Sequence, residues 1–553
     1  MPKPDATKTD RKMKLLSKLI KSPAVAVFIV CVVLISFNLV MAYHLRPFTS
    51  DDVFWQLILQ TWRPFSGHTV VLGNSSVYAD KIPLYLLLGH FFNPGRKLLF
   101  LESYIFALSG FSLFYASCMY FLKKAGANLS YSNLLPFVWL SSFGYWFALL
   151  YLNPDWRGFQ LGVSFVTFAL VAAIYSRDIE IKSLVSKILL LLAVAFAGLQ
   201  TYSDPYFLYF TVGPIIIFSG ALLALKKIGK RQALLIGGSA ILSVVFAKIL
   251  THIAYSAGIR TAISYPTQFI NFNALSSTFE ATIHSMLIIF GADFFNLPVA
   301  NIITIGALLN FFLLCFIAYK VCSNSLRARR YDIEKLDFSK LWILFFSAVC
   351  LLIFLAYTTS TLTSGTATYR YFLLLLLLFI LMFSIALGSM RNSFKKYALM
   401  TILVLSILLN LGLTTFNPKL PNQQDQQPTI QNNANRTNYA LIAFLGSRGL
   451  DKGYANYWWS NITTYLSNRK VTTLPTICNT SGDTARFHWL IDNSTFNKKS
   501  PNSFYIYDPT LVSPPVCTDQ QVIAQFGEPT NTYNFDGLTI MTFNYDIGSR
   551  MPK

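Results

Sequence analysis

Two adjacent carboxylates, Asp51 and Asp52, stand in the stretch HLRPFTSDDVFWQLILQ, directly after the first long apolar run of a 553-residue chain that has only 24 Asp and Glu. Charge is costly to bury at the edge of a membrane, so the pair points to a job. Acids in a first helical turn complement the helix dipole, with Ser50 as the N-cap and Val53, Phe54, Leu57 and Ile58 forming an apolar stripe. One acid suffices for that. The second is not explained by capping, and the pair's position immediately after the first span is itself suggestive.

The elements that must position this pair follow from composition. The chain is 54% hydrophobic and only 12% charged, as a polytopic membrane protein is. The net charge of +21 lies in short clusters between apolar runs, the pattern of charges that orient a membrane protein and not of a nucleic-acid surface. Residues 1–22 form a basic tail, and the run from Pro23 to Tyr43 reads as a retained signal anchor.

Stretches of spanning length lie at about 24–43, 98–121, 133–152, 159–176, 188–203, 206–225, 233–256, 300–321, 341–359, 370–390 and 397–416, which gives about eleven spans. The segment DKIPLYLLLGHFFNPG, 80–95, is short and bounded by prolines. If it does not cross, the inner segments carry 24 Lys and Arg and the outer ones 7. If it crosses, clusters such as KKIGKR fall outside, against the positive-inside rule, so 80–95 is expected on the outer surface.

Beyond Phe416 a polar linker, 417–438, leads to a small α/β domain, 439–553, which the odd span count places outside the cell membrane. Within it, NYALIAFLGSRG reads as a helix, SFYIYD as a strand, TDQQVIAQFG as a helix, and TYNFDGLTIMTFNYD as a hairpin turning at Asp536-Gly537. Cys478 and Cys517 form either a disulfide or two free thiols.

This threading gathers polar residues at the outer ends of the spans. They are Asp51 and Asp52, Asp80 and Lys81, Asp155 and Arg157 in NPDWRG, Asp204 in YSDPYF, Lys248 and His252 on one helical face, Arg260, Glu280, Asp293, and Arg370 in TYRYF. Zinc and P-loop motifs are absent: there is no CxxC, HExxH or GxxxxGK[ST]. A transporter would need a polar path from face to face, and the inner halves of the spans hold hardly any charge.

The arrangement resembles the GT-C class of membrane glycosyltransferases, which includes the protein O-mannosyltransferases and the lipid A aminoarabinose transferases. TSDDVFWQ is similar to the acidic pair that opens that class's first juxtamembrane helix, and DKIPLYLLLGHFF to its Lys-Pro-Pro-Leu segment, with Ile82 in place of one proline. KGYANYWWSNITTYLSNRKV, 452–471, looks like stretches of bacterial members with a C-terminal outer domain.

The resemblance implies a mainly α membrane protein: a GT-C-like bundle, 23–416, with outer juxtamembrane helices in the loop 44–97. It implies transfer of a sugar from a polyprenyl-phosphate donor to a glycan, lipid or protein acceptor on the outer face of the cell membrane, with inversion. Asp51 or Asp52 would be the base, and Lys81 would stabilise the leaving phosphate. Lys248, Arg260 and Arg370 are further candidate cations, and Asp155 and Asp204 would orient the sugar or hold a divalent cation. Metal dependence is left open. The alternatives are an oligosaccharide transferase or ligase using a diphosphate-linked glycan, and a non-enzymatic transporter or receptor.

Overall fold

Each of the eleven apolar stretches holds a helix in the computed structural model, which describes residues 22–45, 48–73, 78–143, 157–178, 184–261, 267–295, 297–330, 337–362, 371–390, 392–416, 436–512 and 514–552. The chain runs α1 (Pro23–Leu45), α2 (Ser50–Thr61), β1 (Val70–Leu72), α3 (Ile82–Phe91), α4 (Arg96–Lys124), α5 (Tyr131–Ser141), α6 (Gly158–Tyr175) and α7 (Leu184–Ser203). Then come α8 (Pro205–Ala224), which passes through a π-turn at Leu208–Val212, α9 (Lys230–Ser256), β2 (Ile259–Thr261) and α10 (Leu275–Ile289). The last helices of the bundle are α11 (Ile302–Arg330), α12 (Phe338–Thr359), α13 (Leu373–Ser389) and α14 (Ser393–Phe416). Nine of the described helices are long and apolar enough to cross a bilayer. Apolar α13 is shorter, and it is buried continuously from Leu373 to Leu387 as the centre of the bundle.

Two features differ from the sequence reading. Helix α10 fills a region expected to be loop, because LSSTFEATIHSM mixes polar and apolar residues too evenly for a spanning pattern, yet Phe279 packs edge-on against Phe354 of α12. The N-cap of α2 is Thr49, one residue earlier than expected, because the Ser50 hydroxyl is engaged elsewhere. Helix α3 has ten residues and a length of about 15 Å, half a hydrocarbon core, so it is too short to span.

Contacts sort the connections to two ends of the bundle. At one end, Lys124 pairs with Asp178 at 2.5 Å, Gln232 reaches the Ile174 carbonyl, Ser339 the Ala125 carbonyl, and Lys396 the Asn133 side chain. At the other, Tyr78 and Asp80 bond to Ser203, Arg157 to Asp204, Ile270 to Thr359, and Tyr206 to the Tyr371 carbonyl. Close approach within the bundle depends on glycine: α4 and α6 cross where Gly110 and Gly162 leave room for backbone against backbone, and a Cβ on either would run into the other helix.

The C-terminal region follows its expected pattern, with α15 (Arg436–Ser447), β3 (Lys452–Asn456), α16 (Tyr457–Leu466), β4 (Thr472–Cys478), β5 (Thr484–Arg486) and β6 (Ile491–Asp492), then β7 (Ser503–Tyr507), α17 (Asp519–Phe526), β8 (Asn531–Phe535) and β9 (Leu538–Phe543). Six strands form a mixed sheet in the order β5-β4-β3-β7-β9-β8, with β3 parallel to both β4 and β7. A disulfide joins Cys478 to Cys517. A second sheet, β2-β1-β6, takes one strand from the first loop, one from the segment after α9 and one from the C-terminal domain. That small sheet ties the domain to the same end of the bundle as Arg157 and Asp204.

Candidate functional site

Helix α2 is the floor of the junction between bundle and domain. Its N-terminus separates the two acids. Asp52, 1% exposed, turns back, and its Oδ2 accepts from the Thr49 N–H at 2.7 Å and from the Thr49 hydroxyl at 3.0 Å. This reciprocal cap consumes orphan groups at the helix start. Asp51 turns the other way, toward the domain, where the Tyr457 hydroxyl donates to its Oδ1. The two carboxylates therefore have different jobs: Asp52 holds the helix, and Asp51 faces the interface.

Tyr457 is placed by the β3–α16 turn. Asn456 caps α16 by accepting from the Trp458 N–H at 2.9 Å, which fixes Tyr457 at the first helical position. The Ser50 hydroxyl donates to the Tyr457 carbonyl at 2.5 Å and accepts from the Ile462 N–H at 3.3 Å, so α2 and α16 are locked end to end. Phe54, Trp55, Ile58, Tyr85, Phe106 and Tyr457 form one buried apolar cluster that spans the first loop, α4 and the domain. Burial of such aromatic side chains contributes about 1.5–3 kcal/mol each.

The Asp80-Lys81 pair lies in the 3-10 turn Ala79–Lys81 at the edge of that cluster. Lys81, 3% exposed, lies with its ammonium 4.4 Å from the centre of the Tyr78 ring and 5.9 Å from that of Phe106. Asp80 accepts from Gln200 at 3.1 Å, and its own N–H donates to Ser203. Burial pushes the Asp80 carboxyl above its ordinary range, against the opposing pull of the Lys81 charge and the Gln200 bond.

One residue beyond Ser203, Asp204 pairs with Arg157, whose guanidinium also stacks 4.7 Å from both the Tyr206 and the Tyr371 rings. Asp204 also caps the turn into α8 by accepting from the Tyr206 N–H at 2.9 Å. Two expected site residues thus meet as a buried ion pair, adjoining the Asp80-Lys81 turn through Ser203.

The remaining expected residues lie apart. Lys248 and His252 do share a face of α9, but both are exposed, and neither side chain makes a hydrogen bond or ion pair among the described residues. Arg260 lies on β2 and folds over the Tyr255 ring, 3.4 Å from its centre, while donating to the Tyr255 carbonyl. Its backbone, and not its charge, belongs to the junction, in register with Val71. Glu280 is exposed on α10, and Asp293 pairs with His284 at 2.9 Å. Asp155 and Arg370 lie outside the described residues. Among the described residues no three His, Cys, Asp or Glu side chains converge as a metal site would require.

Three participants escaped the sequence reading. Gln56 donates to Glu102 at 2.6 Å across the α2–α4 contact, with Glu102 1% exposed, and Tyr457 was visible only as part of an aromatic run. Glu102 carried a signal: it is a lone acid inside an apolar stretch, where ionisable residues are functional by default. Tyr457 carried none, since its partner is 406 residues away. No known protein-family model matches this chain, and no curated protein is significantly similar to it.

Proposed function

We propose that this protein is a GT-C-like membrane glycosyltransferase that moves a sugar from a polyprenyl-phosphate donor to an acceptor hydroxyl at the outer face of the membrane. The observation that carries the reading is the division of labour at the start of α2. Asp52 accepts from Thr49 in the cap, and Asp51 accepts from Tyr457 at the junction of bundle and domain.

In this reading about eleven helices cross the bilayer, with the basic end of the bundle in the cytoplasm and the C-terminal domain outside. The sorting of connections to two ends supports it, as does the Cys478–Cys517 disulfide, a bond that persists in oxidising compartments. The lipid tail of the donor stays in the bilayer while its phosphate lies at headgroup depth.

Asp51 takes the proton from the acceptor hydroxyl as its oxygen forms a bond to the anomeric carbon. On the opposite side the bond from that carbon to the phosphate oxygen breaks, and the lipid phosphate leaves with the electron pair, so the centre inverts. A base in this position contributes about 10²–10⁴ in rate. Lys81, set among the Tyr78 and Phe106 rings, supplies positive potential toward the leaving phosphate. The Arg157–Asp204 ion pair is neutral as a whole and fixes the turn beside it.

The test is to incubate purified protein with a panel of labelled polyprenyl-phosphate sugars and with polyprenyl-diphosphate glycans, each with and without chelator. Transfer from a monophosphate donor, abolished by Asp51→Asn, supports the reading. Transfer from the diphosphate donors alone would favour an oligosaccharide transferase, and transfer from neither would favour a receptor.

A further inference from the structure

Three basic residues that the proposed reaction leaves unused, Lys248, His252 and Arg260, lie in and just after the C-terminal half of α9. The helix packs against α7 and α8 and buries Ile236, Ala240, Ser243 and Ala247. Its other side is an exposed apolar field that includes Ile241, Leu242, Val245, Ile249 and Ile253. Lys248, His252 and Tyr255 stand within that field at the i, i+4, i+7 spacing of one helical face, and all three are exposed. No Asp or Glu occurs from Lys230 to Thr261, so the row has no acid of its own.

Arg260 extends the row beyond the helix. Its guanidinium lies 3.4 Å from the centre of the exposed Tyr255 ring, and its Nη1 donates to the Tyr255 and Ile259 carbonyls. Its Nε and Nη2 make no hydrogen bond among the described residues and are left for a ligand.

The length of α9 sets the depth of these groups. With 27 residues it is about 40 Å long, against about 30 Å for a hydrocarbon core. Centred in the bilayer, with Lys230 and Arg231 at one headgroup layer, it brings His252 to the edge of the hydrocarbon at the other. Lys248 lies about one turn deeper, from where its long side chain snorkels to the same edge. Ionisable side chains within spans ordinarily face the bundle interior or a cavity, and these face lipid. The anion at that depth is a phosphate, which accepts charge-assisted hydrogen bonds from an ammonium or a guanidinium.

That phosphate is not the one that leaves in the proposed reaction. Trp62, which follows α2, donates its indole N–H to the Ala257 carbonyl at 3.1 Å. The end of α9 is thereby fastened to the end of α2 farthest from Asp51, and the 12 residues of α2 separate the two by about 18 Å.

We infer that Lys248, His252 and Arg260 form a surface site for the headgroup phosphate of an anionic bilayer phospholipid, whose acyl chains lie along Val245, Ile249 and Ile253. The site depends on the membrane placement of α9 proposed above and not on sugar transfer.

The experiment is native mass spectrometry of the full-length protein, delipidated in detergent and titrated with phosphatidylglycerol, phosphatidylcholine or polyprenyl phosphate, with no sugar donor present. The wild type binds phosphatidylglycerol about tenfold or more tightly than phosphatidylcholine. Lys248→Met combined with His252→Leu, two apolar replacements suited to a lipid-facing position, abolishes that preference, and Lys248→Arg keeps it. In nanodiscs, phosphatidylglycerol raises the thermal midpoint of the wild type above its value in phosphatidylcholine, and the double variant shows no rise. Arg260→Gln, outside the helix, weakens phosphatidylglycerol binding by about threefold or more and reads the same site should the double variant fail to fold. Equal binding of the two phospholipids by the wild type overturns the inference, as does an unchanged preference in all folded variants. Tighter binding of polyprenyl phosphate than of phosphatidylglycerol also overturns it, as does a two-chain mass in place of bound lipid. Because no donor is present, an enzyme reading that fails leaves the lipid preference intact, and the two failures are distinguishable.

Discussion

Tyr457 donates a hydrogen bond to Asp51 across 406 residues of chain, joining the first residue of a domain helix to the first loop of the bundle. The carboxylate named by the sequence is thus oriented by a residue from the far end of the molecule. The domain contributes a contact to the candidate site.

Tyr457→Phe keeps the ring in its apolar cluster and removes only that donor. A hydrogen bond to a charged group is worth about 1.5–3 kcal/mol, so the transfer rate constant falls about tenfold or more while the donor KM changes little. Steady-state kinetics with a labelled donor checks this. An unchanged rate would show that Asp51 does not need the contact.

The sorting of connections can be tested in whole cells. Ser66→Cys, in the exposed turn after α2, reacts with a membrane-impermeant maleimide, and Gly229→Cys, before α9, reacts only after permeabilisation, each measured against the parent protein. The reverse pattern would invert the proposed orientation.

The strand that delivers Tyr457 is anchored by Asp546, which accepts from Lys452 at 2.7 Å and from the Tyr454 hydroxyl at 2.5 Å. Burial alone would raise the Asp546 carboxyl, but the bonds from Lys452 and Tyr454 overcome it and hold the carboxyl below its ordinary value of 3.8. A depressed folded-state pKa gives stability that is present above the unfolded value and lost as pH falls through the folded one. Asp546→Asn therefore lowers the thermal midpoint at neutral pH, and its difference from wild type shrinks as pH falls below about 4.

Gly162→Ala places a methyl against the backbone of α4. Overpacking of this kind costs about 1–3 kcal/mol. It also shifts the helix that begins next to Arg157, so both the thermal midpoint in detergent and the transfer rate fall. A variant with wild-type stability would show that the crossing can relax.

The bundle was legible because long apolar helices write their length and hydropathy directly into the chain, and Leu373–Ser389 is as plain in the sequence as in the core. The short helix Ile82–Phe91 was ambiguous by hydropathy and was read from charge, since a crossing there would have moved every later basic cluster. The meeting of Arg157 with Asp204 was half legible: both stood at span ends, but nothing local paired them. Ser50 shows where reading fails. Its local pattern is a helix cap, yet its hydroxyl serves a carbonyl 407 residues away, and long-range docking of this kind leaves no period or spacing in the sequence. Lys248 and His252 show the converse, for a helical spacing that suggests a shared site also describes two exposed side chains on one face.

Asp51 carries the proposed chemistry, and single substitutions in the acidic pair test its role most directly. With a labelled polyprenyl-phosphate sugar that the wild type accepts, Asp51→Asn should reduce transfer by about 100-fold or more, while Asp52→Asn, which keeps an oxygen for the Thr49 cap, should retain most of the rate and lose mainly stability. Transfer by Asp51→Asn at the wild-type rate would contradict the account.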